Sequence, residues 1–250
     1  MSGHSKWANI KHKKAKTDAK RGRTFTKLVK EIMVAAKVGG ADISGNPRLR
    51  TAVDKAKADN LPADNIDRAI KKGAGELAGV VYEDGMYEGY GPGGVAVLVE
   101  YMTDNKNRTA SEVRHAFTHS GGSLGSSGSV AYLFDKRGVF TVDMGAVSEE
   151  RLMEAALEAG AEDVATNIDE NIYEVYSAPQ DFFKVKTALE EADIKCASAD
   201  IAMIPKTSVN VEGKTARQVL NLLETLEDLD DVQNVYSNFE MSDEDMAEMA

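Results

Sequence analysis

The sequence predicts an α+β protein in which a small basic helical domain precedes a mixed body of strands and helices. Three observations predict it. Apolar residues recur at helical spacing in three consecutive segments before Gly75. Beyond Gly75 short strand-like runs alternate irregularly with helices, as in α+β rather than doubly wound folds. Charge divides at the same place: residues 1–75 hold 18 basic and 7 acidic side chains, a net +11, which leaves −22 on the remainder of a chain whose total is −11.

Residues Met1 to about Arg23 have almost no apolar periodicity, so an exposed arm is expected, with helix between Lys14 and Arg21. Thr24 is the expected N-cap of the first full helix, which carries Phe25, Leu28, Val29, Ile32, Met33 and Ala36 on one face and ends at Gly39-Gly40. Lys27, Lys30 and Lys37 lie off that face. Asn46 followed by Pro47 starts a second helix with Leu49, Ala52, Val53 and Ala56 inward. Pro62 opens a third, with Ile66, Ala69 and Ile70 apolar. The pair joined by Asp59-Asn60-Leu61 fits a DNA-reading helix-turn-helix and equally a plain helical hairpin.

Tyr82 to Tyr90 is rich in Glu and Tyr, Gly91-Pro92-Gly93-Gly94 is a turn, and Val95 to Tyr101 is a buried strand. Thr109-Ala110-Ser111-Glu112 reads as a capping box for a helix reaching His119 and closed by Gly121-Gly122. A Gly/Ser loop covers Leu124 to Ser129, and Val130–Phe134 with Val139–Val142 form an expected hairpin across Asp135-Lys136-Arg137-Gly138. Then come a helix from Ser148 to Gly160, strands at Val164–Thr166 and Ile172–Tyr176, a helix behind Pro179, and an extended stretch from Ala199 to Ile204. The last unit runs Val209–Val211, helix Thr215–Leu229 and strand Val232–Tyr236. Residues 240–250, with five acids and no base, are expected to be a disordered tail.

Composition excludes several classes. A single cysteine, Cys196, permits no intramolecular disulfide and fits a reducing compartment. No apolar run approaches the roughly 20 residues of a membrane helix, and the start lacks a secretory h-region. The expectation is a cytoplasmic protein without a membrane partner.

The basic arm is the strongest functional signal. Lysines and arginines concentrated against the protein's overall sign attract polyanions. Trp7 and His12, set among them, suit stacking on an unpaired base, although Trp7 could equally pin the arm to the helical core, and the arm could dock on an acidic protein surface. Gly213-Lys214-Thr215 resembles the end of a phosphate loop, but Ser208 stands where its first glycine belongs, so Thr215 with Gln218 is better read as a cap. The Gly121 to Ser129 segment either offers amides to an anion or is a flexible connector. His115 and His119 have metal-ligand spacing without a third ligand nearby, Cys196 sits in no motif, and no catalytic constellation emerges. No cofactor or metal is expected, and the reading is of a non-enzyme.

Gly3-His4-Ser5-Lys6-Trp7-Ala8-Asn9-Ile10-Lys11, Asn46-Pro47-Arg48-Leu49-Arg50, Tyr87 to Val95, Asn107 to Arg114, and Gly121-Gly122-Ser123-Leu124 through Gly128-Ser129-Val130 resemble the YebC/PmpR family, over nearly the whole chain. The resemblance implies three domains: residues 1–79 as arm and helical bundle, a discontinuous α+β domain of 80–131 plus 207–239, and an inserted α+β domain of 132–206, both with antiparallel sheets. Because the chain begins directly at the motif, it resembles a bacterial member more than the mitochondrial translational activators of cytochrome oxidase synthesis. The resemblance further implies a regulator of gene expression, classed as a DNA-binding transcriptional regulatory protein. The alternative is a translation factor contacting ribosomal RNA or tRNA on the ribosome, and a distant one is a nucleotide-binding enzyme. Expected phosphate contacts are Lys6, Lys11, Lys13, Lys14, Lys16, Lys20, Arg21 and Arg23, extended by Arg48 and Arg50, with Trp7 and His12 stacking. The acidic α+β face is left for a protein partner, with the oligomeric state open.

Overall fold

The computed structural model describes residues 18–78, 80–168 and 170–242. In chain order the elements are α1 (Asp18–Gly39), α2 (Pro47–Ala58), α3 (Ala63–Gly73), β1 (Glu83–Tyr90), β2 (Ala96–Thr103), α4 (Lys106–His119), β3 (Ser123–Leu124) and β4 (Phe134–Asp143). They continue with α5 (Glu149–Glu158), β5 (Ala161–Asn167), β6 (Ile172–Ser177), α6 (Phe182–Glu191), β7 (Cys196–Pro205), β8 (Val209–Asn210), α7 (Gly213–Glu227), β9 (Val232–Ser237) and β10 (Phe239–Glu240). The chain is α+β. Its described residues form two compact units, one of Leu133–Lys206 and one of the segments on either side of it.

The flanking unit holds a three-helix bundle and a four-stranded sheet. Leu28, Ile32 and Met33 of α1 close on Leu49, Val53 and Ala56 of α2 and on Ile66, Ala69 and Ile70 of α3. Asn46 caps α2, its side-chain oxygen accepting from the Leu49 amide at 3.1 Å. The sheet has the order β3-β1-β2-β9 with antiparallel pairing throughout, while β8 and β10 pair in parallel. Val97 and Val99 of β2 meet Val113 and Phe117 of α4 and Val219, Leu222 and Leu223 of α7 in one apolar cluster. Each such side chain, fully withdrawn from water, contributes about 1.5–3 kcal/mol before entropy is counted.

The 133–206 unit is an antiparallel sheet of order β5-β6-β4-β7. Phe140, Val142, Tyr173 and Val175 pack against Leu152 and Ala156 of α5 and Phe182, Val185 and Leu189 of α6. Phe140 and Phe182 stack with ring centroids 4.9 Å apart.

Several boundaries differ from the sequence reading, each for a local reason. Thr24 is no cap, because α1 has already begun at Asp18. Thr109 lies inside α4, whose cap is Asn105, a better N-cap that accepts from the Arg108 amide at 3.2 Å. Thr215 likewise lies inside α7, and the cap position is Glu212. The expected hairpin at Asp135–Gly138 is one continuous strand, these residues pairing with Ile204 to Ile201 of β7. Gly138 is needed for close packing rather than a turn, since a Cβ there would stand 2.9 Å from Phe182 Cδ2. Order also extends further than the expected tail boundary: Glu240 pairs with Asn210, and Met241 is buried. The rest of that segment, 243–250, lies outside the described residues.

Candidate nucleic-acid interface

Lys6, Trp7, Lys11, His12, Lys13, Lys14 and Lys16 lie outside the described residues. Lys20 and Arg21 belong to the first turns of α1, but their side chains are also outside what is described. From Arg23 onward the cations can be placed, and three of them on α1 turn toward an acidic loop. Arg23, Lys27 and Lys30 recur at i, i+4 and i+7 and so share one face of α1. Arg23 Nη1 pairs with Asp228 at 2.5 Å, and Lys27 Nζ donates to the Glu227 carbonyl at 2.8 Å. Lys30 Nζ donates to the Asp230 carbonyl and to Asp231, both at 2.9 Å. These acceptors form the C-terminal end of α7 and the loop behind it, where the helix dipole is negative. Lys27 and Lys30 lie off the apolar stripe, as the spacing predicts, but on a second face that is packed as well.

Asp231 is the centre of the junction. Besides Lys30, its carboxylate accepts from Arg108 at 2.6 Å, Thr109 Oγ1 at 2.8 Å and Thr103 Oγ1 at 3.0 Å. Its side chain is 4% exposed and that of Lys30 8%. Burial alone would raise this carboxyl; the hydrogen bonds from Arg108, Lys30 and Thr109 outweigh it and hold the group down to about 2. One acid thus ties α1 of the bundle to β2, α4 and the α7–β9 loop of the sheet. Sequence reasoning missed it. Asp231 sits among Asp228, Asp230 and other acids of an apparently solvated loop, and only the Asn107-Arg108-Thr109 motif hinted at special chemistry nearby.

The two arginines expected to extend the patch are engaged within the bundle and its neighbouring strand. Arg48 grips Glu31 with two nitrogens, at 2.7 and 3.2 Å, and reaches Asp84 at 3.0 Å. Arg50 donates to the carbonyls of Ile43 and Ser44, holding the loop between α1 and α2. Arg48 keeps a side chain 40% exposed, so it remains reachable, but its charge is already shared with two carboxylates.

The end of the Gly/Ser loop, with the two residues that follow Ser129, presents amides to an anion that belongs to the protein. The amides of Gly128, Val130 and Ala131 converge on the Glu88 carboxylate at 2.7 to 2.8 Å. Burial raises the Glu88 carboxyl, but these amides overcome it and lower the group overall. The loop is thereby built around an internal acid.

The remaining candidates are quickly placed. Gly213 and Thr215 belong to the first turn of α7, and the Thr215 methyl faces Gly93. His115 and His119 stack with centroids 5.8 Å apart, and no group of three metal-ligating side chains occurs among the described residues. Burial, and secondarily Glu190, pushes the Cys196 thiol up to about 11, which keeps it protonated and a poor nucleophile at neutral pH.

Comparison with known proteins is consistent along the chain. Residues 5–76 match the family described as TACO1/YebC protein N-terminal domain, and residues 82–239 match TACO1/YebC second and third domain. Proteins named "probable transcriptional regulatory protein" from Trichlorobacter lovleyi and Geobacter sulfurreducens are each 59% identical over 249 residues, covering 100% of both chains. One of the same name from Treponema denticola is 58% identical, covering 97% of this chain and 98% of its own. The crystal structure of a conserved hypothetical protein from Aquifex aeolicus superposes with a TM-score of 0.85 at 52% identity, over 95% of this chain and 97% of that one. Matched end to end by sequence and by fold, the chain belongs to the TACO1/YebC family.

Proposed function

We propose that this protein is a non-enzymatic regulator of gene expression that acts by binding nucleic acid through its cationic N-terminal region. The observation that carries the reading is the division of charge, +11 on residues 1–75 against −22 on the rest. The names of the relatives support a regulator, and duplex DNA is the polyanion a transcriptional regulator meets. The junction at Asp231 adds a mechanical reason. Lys30 clamps α1 to the body, so the described start of the helix is a fixed point of attachment, and preorganisation of that kind lowers the entropic cost of binding. Arm cations contact phosphates, and the acidic body faces away from the nucleic acid, free for a protein partner.

A second reading, RNA on the translating ribosome, draws on Trp7 and His12 lying among the lysines, since an aromatic side chain in a cationic arm suits unpaired bases. Crosslinking in cells followed by sequencing of attached DNA and RNA decides between them. Enrichment of promoter DNA is the expected result, and enrichment of ribosomal RNA transfers the function to translation. Removal of residues 1–17 leaves α1 intact and is expected to weaken nucleic-acid binding at least a hundredfold at 100 mM salt, given seven basic or stacking positions lost. Undiminished binding by that variant, in a gel-shift or anisotropy titration, rules out the arm as the contact.

A further inference from the structure

We infer that the outer face of α3 is a second phosphate-binding surface, one that grips the backbone of duplex DNA without reading its bases. The inference rests on the nucleic-acid reading above and identifies a surface that reading does not include. Ile66, Ala69 and Ile70 turn α3 into the bundle, and Gly73 brings its last turn against Met33 and Ala36 of α1. At 100° per residue, Arg68, Lys71 and Lys72 fall on the opposite side of the helix, at i, i+3 and i+4. All three are exposed. None has a salt bridge to another described residue. That separates them from Arg23, Lys30 and Arg48, whose charges are paired internally.

Their position along the helix sets what they can recognise. A helix that reads the major groove presents its N-terminal residues to base edges. The first turn of α3 carries Asp64, with Asp67 close behind, and carboxylates there are repelled by the phosphates flanking a groove. The cations sit at the other end, in the last two turns. A helix acidic at its reading end and basic at its far end can lie along a backbone, and it cannot be driven into the groove by charge. This decides the α2–α3 pair in favour of a backbone clamp over a base-reading helix-turn-helix.

The occupant is duplex DNA on grounds of charge complementarity and continuity with the arm. Met33, beside the end of α3, is 15 residues from Asp18 along α1, about 22 Å at 1.5 Å per residue. Duplex DNA carries about 13 phosphate charges over that length. That span is short against a duplex of 30 base pairs, so one duplex on α3 also reaches the start of α1.

The test uses the full chain and a labelled 30-base-pair duplex titrated between about 50 and 200 mM salt. The variant R68Q/K71Q/K72Q is expected to lower the slope of log K against log salt by about 2 to 3, at roughly one unit per lost phosphate contact, for two unrelated duplex sequences alike. The opposite change, Asp64→Asn, is expected to raise affinity a few-fold, which a helix weakened by substitution would not do. An unchanged slope in the triple variant with wild-type binding intact overturns this surface alone. A slope lowered for only one of the two sequences overturns backbone-only contact. Preference for an RNA duplex by more than tenfold overturns the DNA occupant. Failure of the wild type to bind any duplex overturns both this surface and the duplex-DNA reading of the function.

Discussion

Asp231 carries more of the architecture than any other polar side chain described here, because four donors from three elements end on its two oxygens. Asp231→Asn preserves shape and removes the charge, leaving the nearly buried ammonium of Lys30 without a counter-ion. Removing one partner of a buried pair costs about 3–5 kcal/mol, much more than an exposed bridge such as Arg23–Asp228 at about 0–1 kcal/mol. Urea unfolding followed by hydrogen exchange should locate that loss in α1 and spare the 133–206 sheet, and a loss of under 1 kcal/mol would contradict the proposed weight of the junction. The pH dependence follows from the same geometry. Asp231 is lowered from its ordinary 3.8 to about 2 in the fold, so the folded state holds its charge more firmly than the unfolded chain does. Its contribution is fully present above about pH 4 and is lost as pH falls towards 2. In the Asn variant that acid-dependent component should vanish from the stability profile.

At the scale of elements, glycine explains both what the sequence conceals and what should break. Strand β1 is hard to read because Gly85 and Gly89 interrupt its apolar alternation, and they do so because bulky rings cross them. A Cβ on Gly85 would stand 2.7 Å from Tyr101 Cζ, and one on Gly89 would stand 2.7 Å from both Phe117 Cε1 and the Ser123 carbonyl. Such glycines mark close approach within a sheet. Gly89→Ala should therefore cost about 1–3 kcal/mol, since the β3 backbone must move as well as a side chain. Thermal denaturation measures it, and a neutral result would mean that β3 is not held against β1 as described. Elements with local punctuation are legible: Asn46-Pro47 fixes the start of α2, Ser148 that of α5, and Gly121 the end of α4. Elements fixed by distant partners are not. Asp135–Gly138 looks like a turn until β7 pairs with it, and the second packed face of α1 depends on an acidic loop some 200 residues away. The interface is partly legible for the same reason. Net charge can be counted from the sequence, but only packing shows that Lys30 and Arg48 are committed internally while Arg68, Lys71 and Lys72 are not.

At the scale of the whole molecule, two opposed charges meet a polyanion. The +11 of residues 1–75 attracts it, the −22 of the remainder repels it, and part of that acid already sits against α1 at Asp228 and Asp231. Salt separates the two, because the Debye length is about 30 Å at 0.01 M and about 10 Å at 0.1 M. Below roughly 30 mM the body's repulsion reaches the nucleic acid and offsets the arm's attraction. Near 100 mM the repulsion is screened, and the contact attraction then falls with salt as released counter-ions compete for the phosphates. The association rate of the full chain with duplex DNA should therefore flatten at the lowest salt before falling in the ordinary way. A synthetic peptide of residues 1–23 has no acidic body, so its rate should fall steadily over the whole range. Stopped-flow measurements on both give the comparison directly. Parallel salt curves for chain and peptide would mean that the acidic domains lie too far from the bound nucleic acid to be felt. Their charge could then play no part in orienting the complex.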